Sequence, residues 1–247
     1  MHKYFNVFLQ FDHPLFYRTV EDAIKNSAKG YVCVVDANVL TIAQKDLSYR
    51  QILNQSLVNT CDGSSIALMA SKIHKKDYKA LNGPEIFEHY IEMGYVQLLL
   101  GSNDETSNEI KSMLRSKGIN DNHLSVLSLP FKSVEEFDYP AIATQINTIR
   151  PAIIWVSLGA PKQEVFMANI LPYLAMGVMF GIGAAFNFYT GKIGLPSTKI
   201  GKLKLIWVSR IISEPKKQIK RILPYLFMMP TLYWQEMKNF KVEHKRD

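Results

Sequence analysis

Short continuous apolar runs alternate along the chain with segments whose apolar positions follow a helical spacing. "YVCVV" (31–35) has the unbroken β-branched character of a strand buried on both faces. It is followed by "LTIAQKDLSYRQILNQS" (40–56), which reads as a helix, and by a second short strand around Val58. A helix then runs to about Lys75. "NGPEIFEHYIEMG" places Pro84 near a helix start and Gly94 just past its end, the asymmetry expected of a real helix. "VQLLLGS" and "LSVLSLPF" predict strands on either side of a helix in "ETSNEIKSMLRSKG". Beyond a helix centred on "AIATQINTIR" come the strand "AIIWVSLG", the helix "KQEVFMANILPYLA" and the strand "VMFGIG". Strands alternating with helices predict an α/β fold with a mostly parallel, Rossmann-like sheet and flanking helices.

The pattern changes after Gly191. "TKIGKLKLIWVSRIISEPKKQIKRILPYLFMMPTLYW" is helical in character, with basic and aromatic residues interleaved. This predicts a body at 1–191 and a basic, amphipathic helical appendage at 192–247. Arg210, Lys217 and Arg221 share one face of a continuous helix, but Pro215 either interrupts that helix or begins a new one. The run 223–234 is too short to span a bilayer yet apolar enough to lie in an interface. A core-packing helical hairpin with a solvated basic face is the competing reading.

Charge sharpens this division. From Lys192 onward there are 13 Lys/Arg against 4 Asp/Glu, whereas residues 1–191 carry 16 against 18. A nearly neutral body with a basic last quarter points to an anionic partner for that quarter, such as a membrane surface, a phosphate-bearing substrate or a nucleic acid. The nucleic-acid reading is the weakest, because no RNA- or DNA-binding motif accompanies the basic residues. Hydrophobic content of 47% with 21% charged residues is that of a folded protein. Only Cys33 and Cys61 occur, each beside an expected strand, and they read as buried thiols in a reducing compartment. The N-terminal residues lack the pattern of a signal peptide. The expected location is the cytoplasm.

Ligands of parallel sheets gather where strands give way to loops at their carboxyl ends. Four such loops stand out. "DAN" (36–38) offers Asp36 and the amide of Asn38. "CDG" (61–63) puts Asp62 and Gly63 directly before a helix, where the carboxylate fits a helix cap or a catalytic group. "LGAPKQE" (158–164) carries Gly159, which permits close backbone approach, and Lys162 and Gln163 at a helix start, a natural place for an anion. "GIGAAFNFYTG" (181–191) is glycine-rich and aromatic, suited to a flat ring, and includes Asn187. There is no P-loop, no complete G-x-G-x-x-G, no G-x-S-x-G and no H-E-x-x-H, and the six histidines lack metal-ligand spacing.

The strings "VVDANVLTIAQKDLSYRQILNQSLVNTCDGSSI", "NGPEIF", "IIWVSLGAPKQE", "GIGAAFNFYTGKIGLPS" and "WVSRIISEPKKQIKR" resemble, in order and spacing, the WecG/TagA/CpsF glycosyltransferases. The resemblance runs from about residue 5 to about residue 225. It implies an inverting, metal-independent enzyme without a cofactor. The implied donor is a UDP-sugar, often of the N-acetylmannosamine type, and the acceptor a sugar on a polyprenyl diphosphate at the cytoplasmic membrane face. By position, Asp62 matches the proposed catalytic base, Asn38 the strand-end asparagine and Gln163 the glutamine of the P-K-Q-E motif. Arg210 and Arg221 match basic positions of an appendage thought to close over the site and engage the membrane or diphosphate. Lys162, Arg210 and Arg221 are the candidates for countering diphosphate charge. A homo-oligomer is compatible with the sequence. Three positions depart from the family pattern: Asp36 where Thr is frequent, Ala80 (beside Lys79) where Arg is frequent, and Asn187 where an acidic residue is usual. These replacements bear on the choice of donor, and Ala80 and Asn187 leave open a non-catalytic, membrane-peripheral nucleotide-sugar-binding subunit of a polysaccharide assembly complex as the competing reading.

Overall fold

A computed structural model of the chain describes residues 2–183, 185–192, 199–200, 203–204 and 215–243. An N-terminal ribbon, β1 (Lys3–Tyr4) and β2 (Val7–Phe8), leads into α1 (His13–Lys25) and β3 (Lys29–Val35). Next come α2 (Ala37–Lys45), α3 (Leu47–Asn54), β4 (Val58–Cys61), α4 (Ser64–His74) and α5 (Gly83–Ile91). The second half contains β5 (Gln97–Leu100), α6 (Asp104–Ser116), β6 (Leu124–Leu127), α7 (Tyr139–Ile149), β7 (Ile153–Val156), α8 (Lys162–Ile170), β8 (Gly177–Gly181) and α9 (Ala185–Tyr189). A short ribbon, β9 (Lys199–Ile200) with β10 (Leu203–Lys204), precedes the long helix α10 (Pro215–Glu243).

Six strands form one all-parallel sheet in the order β4-β3-β8-β7-β5-β6. The alternation of side chains across a strand divides the core in two. Tyr31, Cys33 and Val35 of β3 face the cluster built with α2, α3, α4, α7, α8 and α10. Val32 and Val34 face the cluster built with α1, α5, α6 and α9. Both faces are covered, which is why the strands read as continuous apolar runs. Trp155 is fully buried because its indole N–H has a partner, donating to Gln97 Oε1 at 2.7 Å. The expected α/β architecture, with a parallel sheet and helices on both sides, is the architecture found.

Three local differences from the sequence reading have identifiable causes. The helix expected over 40–56 is two helices, because Asp46 adopts an extended conformation and its carboxylate accepts the Ser48 and Tyr49 N–H groups. The strand expected over 124–131 ends at Leu127, and Phe131 is fully exposed in the loop that follows. Helix α8 stops at Ile170 and gives way to a single 3-10 turn containing Pro172. Of the two readings of Pro215, the start of a helix is the one found: α10 begins there, and a proline is tolerated at the first helical position. Arg210 and the side chains of Lys217 and Arg221 lie outside the described residues. Among the described residues no helix is long and apolar enough to cross a membrane.

Candidate active site

The strand carboxyl ends bring together the loops singled out from sequence. Register places Val35 opposite Cys61, Cys33 opposite Gly181, and Gly181 opposite Val156. Asp36 and Asp62 therefore leave neighbouring strands side by side, and the loops after β7 and β8 follow along the same edge.

The two aspartates hold different local positions. Asp36 caps α2, its Oδ1 accepting the Val39 N–H at 2.8 Å. The cap role considered for Asp62 falls instead to Gly63, which supplies no side-chain hydrogen bond to α4. Asp62 is half-buried and donates its own N–H to the Val35 carbonyl at 2.9 Å. Gly63 has a packing reason as well, since a Cβ there would stand 3.0 Å from Ile66 Cδ1. Asn38 lies in the first turn of α2 and is half-buried.

The segment "GAPKQE" forms a tight turn from β7 into α8 in which Gly159 has φ +75° and the Ala160–Pro161 peptide is cis. Gln163 is 4% exposed, and its Oε1 accepts the Gly159 N–H at 3.1 Å. Its Nε2 donates to Glu164 Oε1 at 2.8 Å. Lys162 points to the loop after β6: its amine donates to the Lys132 carbonyl and lies 5.0 Å from the ring centre of Phe137. In the place of the family's frequent arginine, Ala80 packs against the core and Lys79 is exposed.

A cleft of about 180 Å³ opens at the carboxyl ends of β5, β7 and β8. Ser102, Asn103 and Thr106 line it from one side, and Ser157, Gly183 and Asn187 from the other. Ser157 donates its hydroxyl to the Gly183 carbonyl at 2.9 Å, tying the two loops together. The chain leaves β5 toward β6 and leaves β7 in the opposite direction toward β8, so this crevice is a topological switch point, where parallel sheets bind ligands. The contribution of the β5–α6 loop was not anticipated from sequence, although "GSND" after an apolar strand is a small-residue turn of the right kind. Glu164 was also missed. It is wholly buried beside Tyr49 and Cys33, and burial pushes its carboxyl up to about 7.

Helix α10 covers the opposite end of the row. Tyr225 and Leu232 join the core, and the Tyr225 hydroxyl lies 3.1 Å from Ser65 Oγ in the first turn of α4. Glu236, 3% exposed, pairs with His74 Nε2 at 2.9 Å and accepts the Phe5 N–H at 2.7 Å.

The model of the glycosyl transferase WecG/TagA/CpsF family matches residues 7–242. The chain belongs to this family. A WecG/TagA/CpsF chain is a glycosyltransferase, and with that the non-catalytic reading is set aside. The chain is also 22% identical over 192 residues to a Bacillus subtilis (strain 168) protein, covering 74% of this chain and 72% of the relative. That protein is named N-acetylglucosaminyldiphosphoundecaprenol N-acetyl-beta-D-mannosaminyltransferase. The family match extends through most of α10, so this helix is part of the WecG/TagA/CpsF unit.

Proposed function

We propose that this enzyme transfers an N-acetylmannosamine-type sugar or a related hexose from a UDP-sugar to a sugar carried on a polyprenyl diphosphate, with inversion and without a metal ion. The product would belong to a cell-surface polymer such as teichoic acid. The reading is supported by the name of the Bacillus subtilis relative, whose acceptor is a diphosphoundecaprenol-linked sugar.

One observation carries it: the switch-point cleft and Asp62 lie on the same sheet edge but apart. From β7 to β4 there are three strand spacings, roughly 14 Å at about 4.8 Å each. An elongated ligand is needed to link them. A nucleotide in the cleft, with its diphosphate and sugar extending toward β3 and β4, brings the anomeric carbon to Asp62. The carboxylate takes the proton of the acceptor hydroxyl as that oxygen attacks, and UDP leaves from the opposite face. Asn38, two residues after Asp36 in the first turn of α2, would hold sugar hydroxyls. Charge developing on the diphosphate meets the amino-terminal ends of α2, α4 and α8, all of which open on this edge. Asn187 lines the cleft and contributes an uncharged amide beside the nucleotide.

The basic appendage fits an acceptor anchored in a membrane, with the enzyme peripheral on the cytoplasmic face. The outer side of α10 exposes Leu223, Leu226, Phe227 and Trp234, while Lys238 and Lys241 stand exposed further along. An apolar ridge with neighbouring lysines suits the interface of an anionic bilayer. The test is transfer from a panel of UDP-sugars to a polyprenyl-diphosphate-linked N-acetylglucosamine in excess EDTA, read by mass spectrometry. A lipid product heavier by one sugar residue is expected. Nucleotide release without such a product, or activity abolished by EDTA, contradicts the reading.

A further inference from the structure

A buried carboxylate inside a helix–sheet interface is costly unless every oxygen is used. Glu164 meets that condition with two partners from different parts of the chain. Its Oε1 accepts from Gln163 Nε2 at 2.8 Å, and its Oε2 accepts from the Tyr49 hydroxyl of α3 at 3.0 Å. The oxygen of the Gln163 amide accepts the Gly159 N–H. A hydrogen-bonded chain thus runs from Tyr49 through Glu164 and Gln163 to the turn at the carboxyl end of β7. Gly181 makes room for it: a Cβ at this position would lie 3.0 Å from Gln163 Nε2 and 2.8 Å from Met167 Cε. A strand glycine and a buried acid are both unfavourable for the fold in isolation, and both serve to seat one amide.

We propose that Glu164, held by Tyr49, is a positioning residue for glycosyl transfer, fixing the Gln163 amide and the Gly159 turn beside the cleft. The proposal rests on the reading of that cleft as the donor site. The orientation of the Gln163 amide follows from the network: with a carboxylate beside it, only the NH₂ end can face Glu164, so the carbonyl end must face Gly159. The titratable groups facing Glu164 are Tyr49 of α3, Cys33 of β3 and Asp36 at the head of α2. All three are acids, and burial already holds its carboxyl near 7. A protonated Glu164 no longer offers two full acceptors, so the ordered amide belongs to the ionised form, present above about 7.

Glu164→Met combined with Tyr49→Phe removes the acceptor and the donor together and fills the site with apolar atoms. The transfer rate constant should fall on the order of 10- to 100-fold, the scale of a small misplacement in an active site. The donor KM should stay within about threefold, because the lost interaction acts on the transition state. Stability at pH 8 should change little, since removal of a buried charge offsets the acceptor lost to the Gln163 NH₂. Glu164→Gln, which like the protonated acid offers one acceptor oxygen and a donor, should run at the lowered rate of the native enzyme at acid pH. It should lack the decline in kcat that the native enzyme shows as pH is lowered through about 7. Hydrogen exchange at the Gly159 N–H reads the positioning without any donor, and should quicken in the Met/Phe variant. Native exchange at Gly159 in that variant overturns the proposal, even where no donor is turned over. A native rate constant in the Met/Phe variant, or a native acid limb in Glu164→Gln, overturns it also. Failure of the native enzyme to transfer from any UDP-sugar, with Gly159 exchange altered as expected, counts against the donor reading alone.

Discussion

Replacing Glu236 by alanine should release α10 from the rest of the molecule. Glu236 is 3% exposed and holds two groups far away in sequence, the His74 ring at 2.9 Å and the Phe5 N–H at 2.7 Å. Alanine leaves both without this acceptor in a closed aromatic setting, where the His74 ring packs against Tyr4 at 4.9 Å and Phe240 at 4.9 Å. Each stranded polar group costs about 1–3 kcal/mol, so the two together cost about 2–6 kcal/mol. For a domain of this size about 1 kcal/mol lowers Tm by roughly 2–4 °C, so a fall of about 4–24 °C is expected. Glu236→Gln retains an acceptor for Phe5 and a donor or acceptor for His74, and should lose well under half as much. Chemical denaturation of the three proteins, with hydrogen exchange across 215–243, separates global from local effects. Faster exchange in α10 and in the turn around Phe5 should accompany the loss. A cost below about 0.5 kcal/mol for Glu236→Ala, the range of an unimportant surface change, would refute the reasoning.

Two further outcomes follow from packing. Gly181→Ala should destabilise the protein by about 1–3 kcal/mol through overpacking against Met167 and the Gln163 amide, as measured by denaturation. A neutral effect would show that the amide has room to move. Phe227→Ser with Trp234→Ser, at side chains 79% and 68% exposed, should leave stability unchanged but weaken binding to anionic liposomes about tenfold or more, because each ring loses on the order of 1 kcal/mol of interfacial burial. Undiminished sedimentation with liposomes would remove the membrane role from this face.

The sheet was legible because both of its faces are buried: strands such as "YVCVV" and "IIWV" are apolar at every position, and no helix-period pattern competes with them. The break at Asp46 was hidden because apolar spacing continues through it, although an Asp two residues before a Ser is a local cap signal. The N-terminal ribbon turns through Phe5 and Asn6, both in the left-handed region at φ 53° and 66°, a conformation that phenylalanine does not advertise. At the site, each sequence-selected loop reaches the same sheet edge, because a parallel sheet sends every strand end there. What each side chain does at that edge was less legible. Asp36 and Asp62 each precede a helix, yet only Asp36 supplies the cap, and this depends on backbone geometry one residue further on. Tyr49 and Glu164 lie 115 positions apart, and nothing local marks either as buried.

The central claim is that the Asp62 carboxylate removes the acceptor proton, and Asp62→Asn tests it most directly. The substitution conserves shape and leaves the α4 cap, which is Gly63, untouched. Donor affinity measured by calorimetry should stay near that of the native enzyme, while transfer to the polyprenyl-diphosphate acceptor, followed by mass spectrometry, should fall by about 10²–10⁴-fold. Transfer within about threefold of the native rate, with donor bound equally well, would contradict the assignment.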